Sequence, residues 1–412
     1  MRTMRGRRAR LAALGVAVAL LAGCGGEAGE DGPGTTPETV STEAGADAGA
    51  ETDAGDEAET GTEAGTATDA ATAEETGAGE GADDPERAEG AGLAEEVTFT
   101  NEGLDLVGTL RLPDAAEPDA PVPGVLIVAG SGPQSRDGMS VGQLGLTFST
   151  TVPIYREVAE ALVDEGYAVL TWDKRTCGPF NDCAENEYPL PGDDLTFDTL
   201  RADAGAALDL LAADPRVDEL VVIGHSKGGT VGAGLVAERD DIDALVLLAS
   251  PEPPITDVLD VQVQTFAELV RAAGQEGPQS AMTIAQLQNI ANQARAIGEG
   301  ETEGADLSGA SREFWASWIA ASEEAPEQVA GSGVPVLALG GEYDWNVPPE
   351  MVQAWEPHLP EGSSVEILPN ITHALTYLPT DDPAALSPGD VGEEVDDSVV
   401  AALTSWLATA LP

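Results

Sequence analysis

Positive charge is scarce in this sequence, which holds 18 lysine and arginine residues against 74 aspartate and glutamate residues. Lysine occurs only as Lys174 and Lys227, and the formal net charge is −56 at pH 7. Such a chain lacks the cations that neutralise phosphates, so nucleic-acid binding is excluded. Its negative field should also repel anionic lipid headgroups and anionic substrates at long range. Selection for solubility in salt and a composition bias of the lineage are both left open as explanations.

Histidine and cysteine are also rare, with three residues of each. They do not cluster at the spacings of a metal site, and no glycine-rich P-loop is present. The sequence therefore implies no metal and no organic cofactor. The apolar run at residues 11–22 is too short to span a bilayer as a stable helix.

The N-terminus combines five arginines within residues 1–10 with the apolar run of residues 11–22. A basic segment followed by a short apolar segment is typical of a signal peptide. The run ends in the letters LAGC, which resemble the bacterial lipobox and place the cysteine at Cys24. The resemblance implies cleavage after residues 1–23, acylation of the Cys24 thiol, and attachment to the extracytoplasmic face of the cell membrane. An ordinary signal peptide with a chance cysteine is the alternative.

Residues 24–94 consist almost exclusively of glycine, alanine, threonine, glutamate and aspartate, and no aromatic residue occurs before Phe99. A segment with so little apolar surface and charge of nearly one sign cannot offset the entropy lost on folding. We expect a disordered tether with a mean span of roughly 45–50 Å, by the random-coil relation for about 70 residues. It would hold the remaining domain, residues 95–412, away from a membrane.

Export to an oxidising compartment permits disulfides. Acylation of Cys24 would leave Cys177 and Cys183, an even number of thiols. We therefore expect a disulfide that closes the short loop between these two cysteines, with two free thiols as the alternative.

Residues 95–412 read as alternating strands and helices, which predicts an α/β fold with a mostly parallel, doubly wound sheet. The domain opens with an antiparallel hairpin at residues 96–100 and 104–112, where apolar and polar residues alternate. Further strands are predicted at 122–130, 168–173, 220–224, 244–250, 334–341 and 363–370, and helices at 153–165, 197–213, 227–238 and 394–409. The segment at about 253–330 has helical spacing and no strand pattern, so it is predicted to be a helical cap inserted late in the sheet.

A nucleophile is predicted in the sequence GHSKGG, residues 224–229, which follows a buried strand and opens a helix. Glycines on both sides let the backbone turn sharply, so the hydroxyl of Ser226 is held outward. The less specific interpretation is a glycine-rich turn with a solvated serine.

A serine needs a base that accepts its proton, and the chain offers three histidines. His225 is the neighbour of the serine in the turn, and adjacent side chains there point apart. His358 belongs to a predicted helix at 349–358, where a solvated or capping role is the ordinary one. His373 follows the last predicted strand, so it is the predicted base.

The third member of the site is predicted to be Asp344, in a loop that follows another parallel strand. The order Ser226, Asp344, His373 is that of α/β hydrolases, and Glu342 is the competing acid. Two backbone amides are expected to form the oxyanion hole. One belongs to Lys227, directly after the nucleophile, and the other to Ser131 in the small-residue loop AGSGP.

Residues from about 95 to 412 resemble bacterial α/β hydrolases of the broad dienelactone hydrolase and serine aminopeptidase-like group. The resemblance rests on the loop GSGPQSRDG at 130–138, the sequence WDKR at 172–175, the turn around Ser226, and the loops of Asp344 and His373. It departs from the group after Arg175, where a glycine is usual and TCG stands here.

This resemblance implies the α/β-hydrolase fold and two-step acyl transfer, with no metal or organic cofactor. A carboxylic esterase that acts on a small-molecule ester is expected. An aminopeptidase or thioesterase of the same fold, and a non-catalytic surface binding protein, are the alternatives. Phe314 and Trp318 share one face of a predicted cap helix and are interpreted as lid core rather than pocket wall. An apolar cap and an acidic surface favour neutral acyl esters of modest size.

Overall fold

The computed structural model describes residues 93–139, 152–177, 183, 188, 195–301, 303–380 and 392–411. The predicted signal peptide, Cys24 and almost all of the tether lie outside the described residues. No helix within the described ranges combines the length and the apolar run that crossing a lipid bilayer requires.

Eight strands of the described chain form one sheet, in the order β1-β2-β4-β3-β5-β6-β7-β8. The strands are β1 Leu93–Asn101, β2 Leu104–Leu112, β3 Val122–Val128, β4 Ala168–Trp172, β5 Val217–His225, β6 Ala244–Leu248, β7 Val336–Gly341 and β8 Ser364–Leu368. β1 pairs with β2, and β2 with β4, in the antiparallel sense. All remaining pairs are parallel. The predicted mostly parallel sheet with an N-terminal antiparallel hairpin is therefore confirmed.

Helices connect the strands and cover both faces of the sheet. They are α1 Ile154–Asp164, α2 Phe197–Ala212, α3 Lys227–Glu238, α4 Ile255–Ala272, α5 Pro278–Gly298, α6 Arg312–Ser332, α7 Pro349–Gln353 and α8 Asp397–Ala410, with a short 3₁₀ helix at Glu356–His358. The predicted helix at 349–358 is broken into α7 and this 3₁₀ turn. Pro357 lies within the turn, and a proline nitrogen cannot donate the hydrogen bond that a continuous helix needs.

The two hydrophobic cores follow from the alternation of side chains along the strands. In β5, Leu220 and Val222 face the core shared with α2, α3 and the inserted helices. Val221 and Ile223 face the opposite core, which α1 and α8 cover. A strand buried on both faces must be apolar at every position, which explains the continuous apolar runs of the central strands.

Helices α4, α5 and α6 lie between β6 and β7, in the segment for which a cap was predicted. The aromatic side chains at the start of α6, Phe314, Trp315 and Trp318, are buried. The Trp318 ring stacks on Phe197 of α2, with ring centroids 6.4 Å apart. The inserted helices thus pack through aromatic contacts onto α2, and onto the start of α3 through Lys227.

Candidate active site

Ser226 lies in the turn between β5 and α3, with φ 53° and ψ −123°. A non-glycine residue at positive φ is strained and persists only where its surroundings hold it. Here the Ser226 N–H donates to the Leu248 carbonyl at 2.8 Å. The turn also needs glycine at Gly224, because a Cβ there would lie 2.4 Å from the carbonyl oxygen of Gly228. The local sequence therefore places Ser226 in a tight turn at the C-terminal end of β5.

The parallel strands carry the other predicted residues to the same edge as Ser226. Asp344 follows β7, and His373 follows β8. His373 Nδ1 lies 2.7 Å from Asp344 Oδ2. The other oxygen, Asp344 Oδ1, accepts hydrogen bonds from the N–H groups of Asn346 at 2.9 Å and Val347 at 2.8 Å. The carboxylate is fully buried, so its orientation is set by these three donors.

The competing acid, Glu342, has a different partner. Its carboxylate accepts a hydrogen bond from the Asn370 N–H at 3.1 Å, at an exposed position. It therefore ties the loop after β7 to the loop after β8, and the structure pairs His373 with Asp344.

The second ring nitrogen of His373 is the chemically available one. Because Nδ1 faces a carboxylate, it carries the proton, and Nε2 of the neutral ring then carries the lone pair. Nε2 is buried and has no hydrogen-bond partner within the described chain. The Ser226 hydroxyl does not bond to it in this arrangement, and such bonds often form only when substrate is present.

The two predicted oxyanion donors lie beside the nucleophile. Ser131 and Lys227 line the same cleft as Ser226. Lys227 is the first residue of α3, where backbone N–H groups have no partner within the helix. The loop of Ser131 comes so close that a Cβ on Gly130 would lie 3.2 Å from Ser226 Cβ.

The cleft beside Ser226 is partly open to solvent. Its described lining residues are Ser131, Ser226, Lys227, Thr230, Pro251, Ile255, Val258, Gln262, Trp318 and Val347. The contribution of α4 to the cleft was not predicted from the sequence. Its signal was present in the helical spacing of Ile255, Val258 and Gln262, which puts them on one face.

Trp318 has two roles rather than the lid-core role favoured from the sequence. It stacks within the aromatic cluster of α6, and it also lines the cleft. The Lys227 ammonium lies 5.1 Å from the Trp318 ring centroid and 5.3 Å from that of Phe314, within the range of cation–π contacts.

His225, expected to point away from the site, connects two parts of it. Its Nε2 lies 3.0 Å from the His373 carbonyl oxygen, and its Nδ1 lies 3.0 Å from the Tyr155 hydroxyl. A carbonyl only accepts, so Nε2 carries the proton and Nδ1 carries a lone pair that faces the Tyr155 hydroxyl. The single proton of that hydroxyl also has Gln134 Oε1 as an acceptor, at 2.9 Å. The same hydroxyl accepts from the Gly130 N–H at 2.8 Å. Through Tyr155 and His225, the loop that holds Ser131 is thus connected to the backbone of His373.

The His225 ring is neutral in this network. Burial, with a smaller contribution from the charge of His373, lowers the pKa of His225 to about 3. A cation at this position would oppose protonation of the neighbouring His373 ring, whose centroid is 4.8 Å away.

The remaining predicted residues lie apart from the cluster. Cys177 and Cys183 are joined as a disulfide, directly after the WDKR sequence. His358 ends the 3₁₀ helix, and its Nε2 lies 3.1 Å from Glu252 Oε1 at the start of the inserted segment.

We expect the protein to become less stable as the pH is lowered, because of His225. Since its folded pKa of about 3 lies below the unfolded value of about 6.5, the unfolded chain binds the extra proton between these values. From pH 6.5 to 4.5 this should lower the free energy of unfolding by about 2–3 kcal/mol. Urea denaturation at pH 7 and pH 4.5 should show this extra loss in the wild type but not in His225→Gln. Equal losses in both proteins would contradict it.

Comparison with known proteins places these residues in a family. Residues 148–378 match the family model described as serine aminopeptidase, S33. Among curated proteins, the esterase EstD of Thermotoga maritima is 29% identical over 185 residues, which is 44% of this chain and 39% of EstD. This chain therefore spans less than half the length of that relative.

Solved structures give weaker likenesses. Est1E from Butyrivibrio proteoclasticus has a TM-score of 0.45 and 17% identity, covering 76% of this chain and 97% of that one. The Pyrococcus furiosus esterase Pf2001 has a TM-score of 0.48 and 16% identity, covering 79% and 93%. At these scores neither likeness supports a conclusion about function. The family match, by contrast, covers more than half of the chain and contains Ser226, Asp344 and His373, so this chain belongs to the serine aminopeptidase S33 family of α/β hydrolases.

Proposed function

We propose that this protein is a serine hydrolase that cleaves carboxylic esters, with Ser226 as nucleophile, His373 as base and Asp344 as the residue that orients the imidazole. One observation carries the proposal: His373 Nδ1 is bonded to a fully buried carboxylate, while its Nε2 is buried and unpaired within the described chain. An imidazole held in one tautomer beside a strained serine is arranged to accept a proton.

The reaction takes two steps. Ser226 Oγ attacks the ester carbonyl carbon and its proton passes to His373 Nε2, while the amides of Ser131 and Lys227 stabilise the oxyanion. The carbon–oxygen bond to the alcohol then breaks, and His373 protonates the departing oxygen. In the second step, water attacks the acyl-enzyme and gives a proton to His373. The carboxylic acid leaves, and the proton returns to Ser226.

The lining of the cleft favours neutral substrates of modest size. Ile255, Val258 and Trp318 give it an apolar wall whose bulky side chains limit the acyl group. The excess of acidic residues on the chain would repel anionic esters at long range.

The same lining favours an ester over an aminoacyl substrate. An aminopeptidase needs an acid to bind the ammonium group of its substrate. Among the described residues that line the cleft, none is acidic, and Lys227 is a cation. Aminopeptidase activity stays the second candidate because the family bears that description.

The N-terminal segment supports a further proposal on location. We infer that the mature protein begins at an acylated Cys24 and that residues 24–94 tether the hydrolase domain at the extracytoplasmic face of the membrane. The support is the sequence pattern alone, a basic segment and an apolar run directly before the cysteine.

Replacement of Ser226 by alanine should reduce kcat for p-nitrophenyl esters at least about 10⁴-fold, because the covalent intermediate is lost. Esters of graded acyl length, assayed beside an aminoacyl p-nitroanilide, would size the cleft and separate the two candidate activities. The exposed Ser405→Ala variant is the control and should keep wild-type turnover. Turnover of the anilide alone would favour the peptidase. Absence of turnover, with no labelling of Ser226 by a fluorophosphonate, would exclude both.

Replacement of Asp344 by asparagine should lower kcat by about 10³–10⁴-fold, because the tautomer and charge of His373 are no longer supported. Glu342→Gln, its neighbour on the same loop, removes one carboxylate charge and should leave kcat within about threefold. Steady-state kinetics of both variants test the assignment, and a larger loss in Glu342→Gln would reverse it.

Cys24→Ser should abolish incorporation of an alkynyl fatty acid into the protein expressed in a bacterial host that acylates lipoproteins. The variant should also move from the detergent phase to the aqueous phase on Triton X-114 partitioning. Cys177→Ser is the matched cysteine control and should still be labelled. A wild-type protein that carries no label would refute the lipid anchor.

A further inference from the structure

The sequence WDKR at 172–175 lies where β4 ends, and its lysine points into the protein. Lys174 is only 6% exposed. Its Nζ lies 2.6 Å from the Gly130 carbonyl oxygen and 2.9 Å from the Gly132 carbonyl oxygen. These two carbonyls stand on either side of Ser131, whose amide is one of the two proposed oxyanion donors.

The geometry of the peptide unit makes the first of these bonds significant. The Gly130 carbonyl and the Ser131 N–H belong to one planar peptide unit, and in a trans unit they point in opposite directions. A donor that holds the carbonyl on one side therefore directs the N–H to the other side. Ser131 itself lines the cleft beside Ser226.

The second bond from Lys174 holds the carbonyl of Gly132, the residue after Ser131. Gly132 has φ +81°, a conformation that glycine adopts without strain. The Gly132 carbonyl belongs to the Gly132–Pro133 peptide unit and is also bound to Lys174, so the units on either side of the Ser131–Gly132 peptide share one ammonium as their anchor. Rotation of the Ser131 N–H away from the cleft would then break at least one charge-assisted hydrogen bond.

The side chain of Asp173 and the backbone of Lys174, in the same WDKR sequence, also bind the loop that contains Ser131. Asp173 Oδ1 accepts from the Arg136 N–H at 2.7 Å, and Asp173 Oδ2 accepts from Arg136 Nε at 3.0 Å. The Lys174 N–H donates to the Gln134 carbonyl at 3.3 Å. These contacts form because β3 and β4 pair in parallel, so the loops that follow them leave the sheet side by side.

We propose that Lys174 is a positioning residue of the oxyanion hole, whose ammonium directs the Ser131 N–H into the cleft by holding the carbonyls of Gly130 and Gly132. The inference rests on the proposed acyl-transfer function. The ammonium also polarises the Gly130–Ser131 peptide, which strengthens its N–H as a donor to a developing negative charge. Lys174 takes no proton and touches no substrate; it acts through the backbone.

The test compares Lys174→Met with Arg175→Met in the whole protein. Methionine has nearly the length of lysine but no donor, so two buried carbonyls lose a bond. We expect kcat for a p-nitrophenyl ester to fall about 10²-fold, as when one oxyanion donor is removed, with KM within about threefold of wild type. The affinity of a trifluoromethyl ketone, whose adduct carries the oxyanion, should fall by a similar factor.

Arg175→Met is the matched control, because Arg175 is the next cation of the same sequence. It bonds to the buried Asp203, not to the loop of Ser131. The Arg175→Met variant should keep kcat within about threefold of wild type, even if it unfolds at a lower temperature. Equal losses of kcat in both variants, or a loss confined to KM in Lys174→Met, would overturn the positioning role.

Two further measurements keep the proposal open to refutation. Should Lys174→Met not fold, Lys174→Gln removes the charge and shortens the side chain by one bond, so it no longer holds both carbonyls. A wild-type kcat in that variant would overturn the proposal. A crystal structure of whichever variant folds should show the Gly130–Ser131 peptide rotated, and an unchanged peptide would refute the proposal. The peptide orientation is measured without any assay of turnover, so it tests the inference about Lys174 by itself. Failure of the esterase function would show separately, as wild-type protein that neither turns over esters nor is labelled.

Discussion

The parallel pairing of β3 through β8 is the constraint on which the rest of this structure depends. Parallel strands end at the same edge of the sheet, so every loop that follows a strand opens at one rim. Ser226 follows β5, Asp344 follows β7 and His373 follows β8. The loops of Ser131 and Lys174 follow β3 and β4 at the same rim. Residues more than 200 positions apart in the chain are thereby brought to one rim of the sheet.

A second condition is the close approach of α3 to the sheet. A Cβ on Gly228 would lie 2.2 Å from the Val128 carbonyl oxygen, and a Cβ on Gly229 would lie 2.1 Å from Ser250 Oγ. Because these positions are glycine, the first turn of α3 sits directly on the ends of β3 and β6. The N-terminal amides of that helix then face the cleft, where the macrodipole favours a developing negative charge.

Buried polar side chains complete the arrangement by holding backbone rather than substrate. His225 bonds to the carbonyl of His373, Tyr155 to the amide of Gly130, and Lys174 to the carbonyls around Ser131. Each would be costly to bury unpaired, so each restricts the loops to conformations that supply its partners. The inserted helices contribute part of the substrate cleft, since Ile255, Val258 and Trp318 line it beside Ser226.

The sequence by itself determined the strand and helix alternation, the hairpin, and Ser226 and His373 of the proposed triad. These depend on local signals: apolar runs, glycines that permit one sharp turn, and the position of a polar residue just after a strand. Of the three histidines in the chain, only His373 follows the last predicted strand, which made it the predicted base. What it left undecided was the choice between Asp344 and Glu342, the place of Trp318 in the cleft, and the parts played by His225 and Lys174. Those were decided only by the tertiary structure, because they depend on which side chain meets which backbone group across neighbouring strands, and such contacts between residues distant in the chain leave no periodic signal in the sequence.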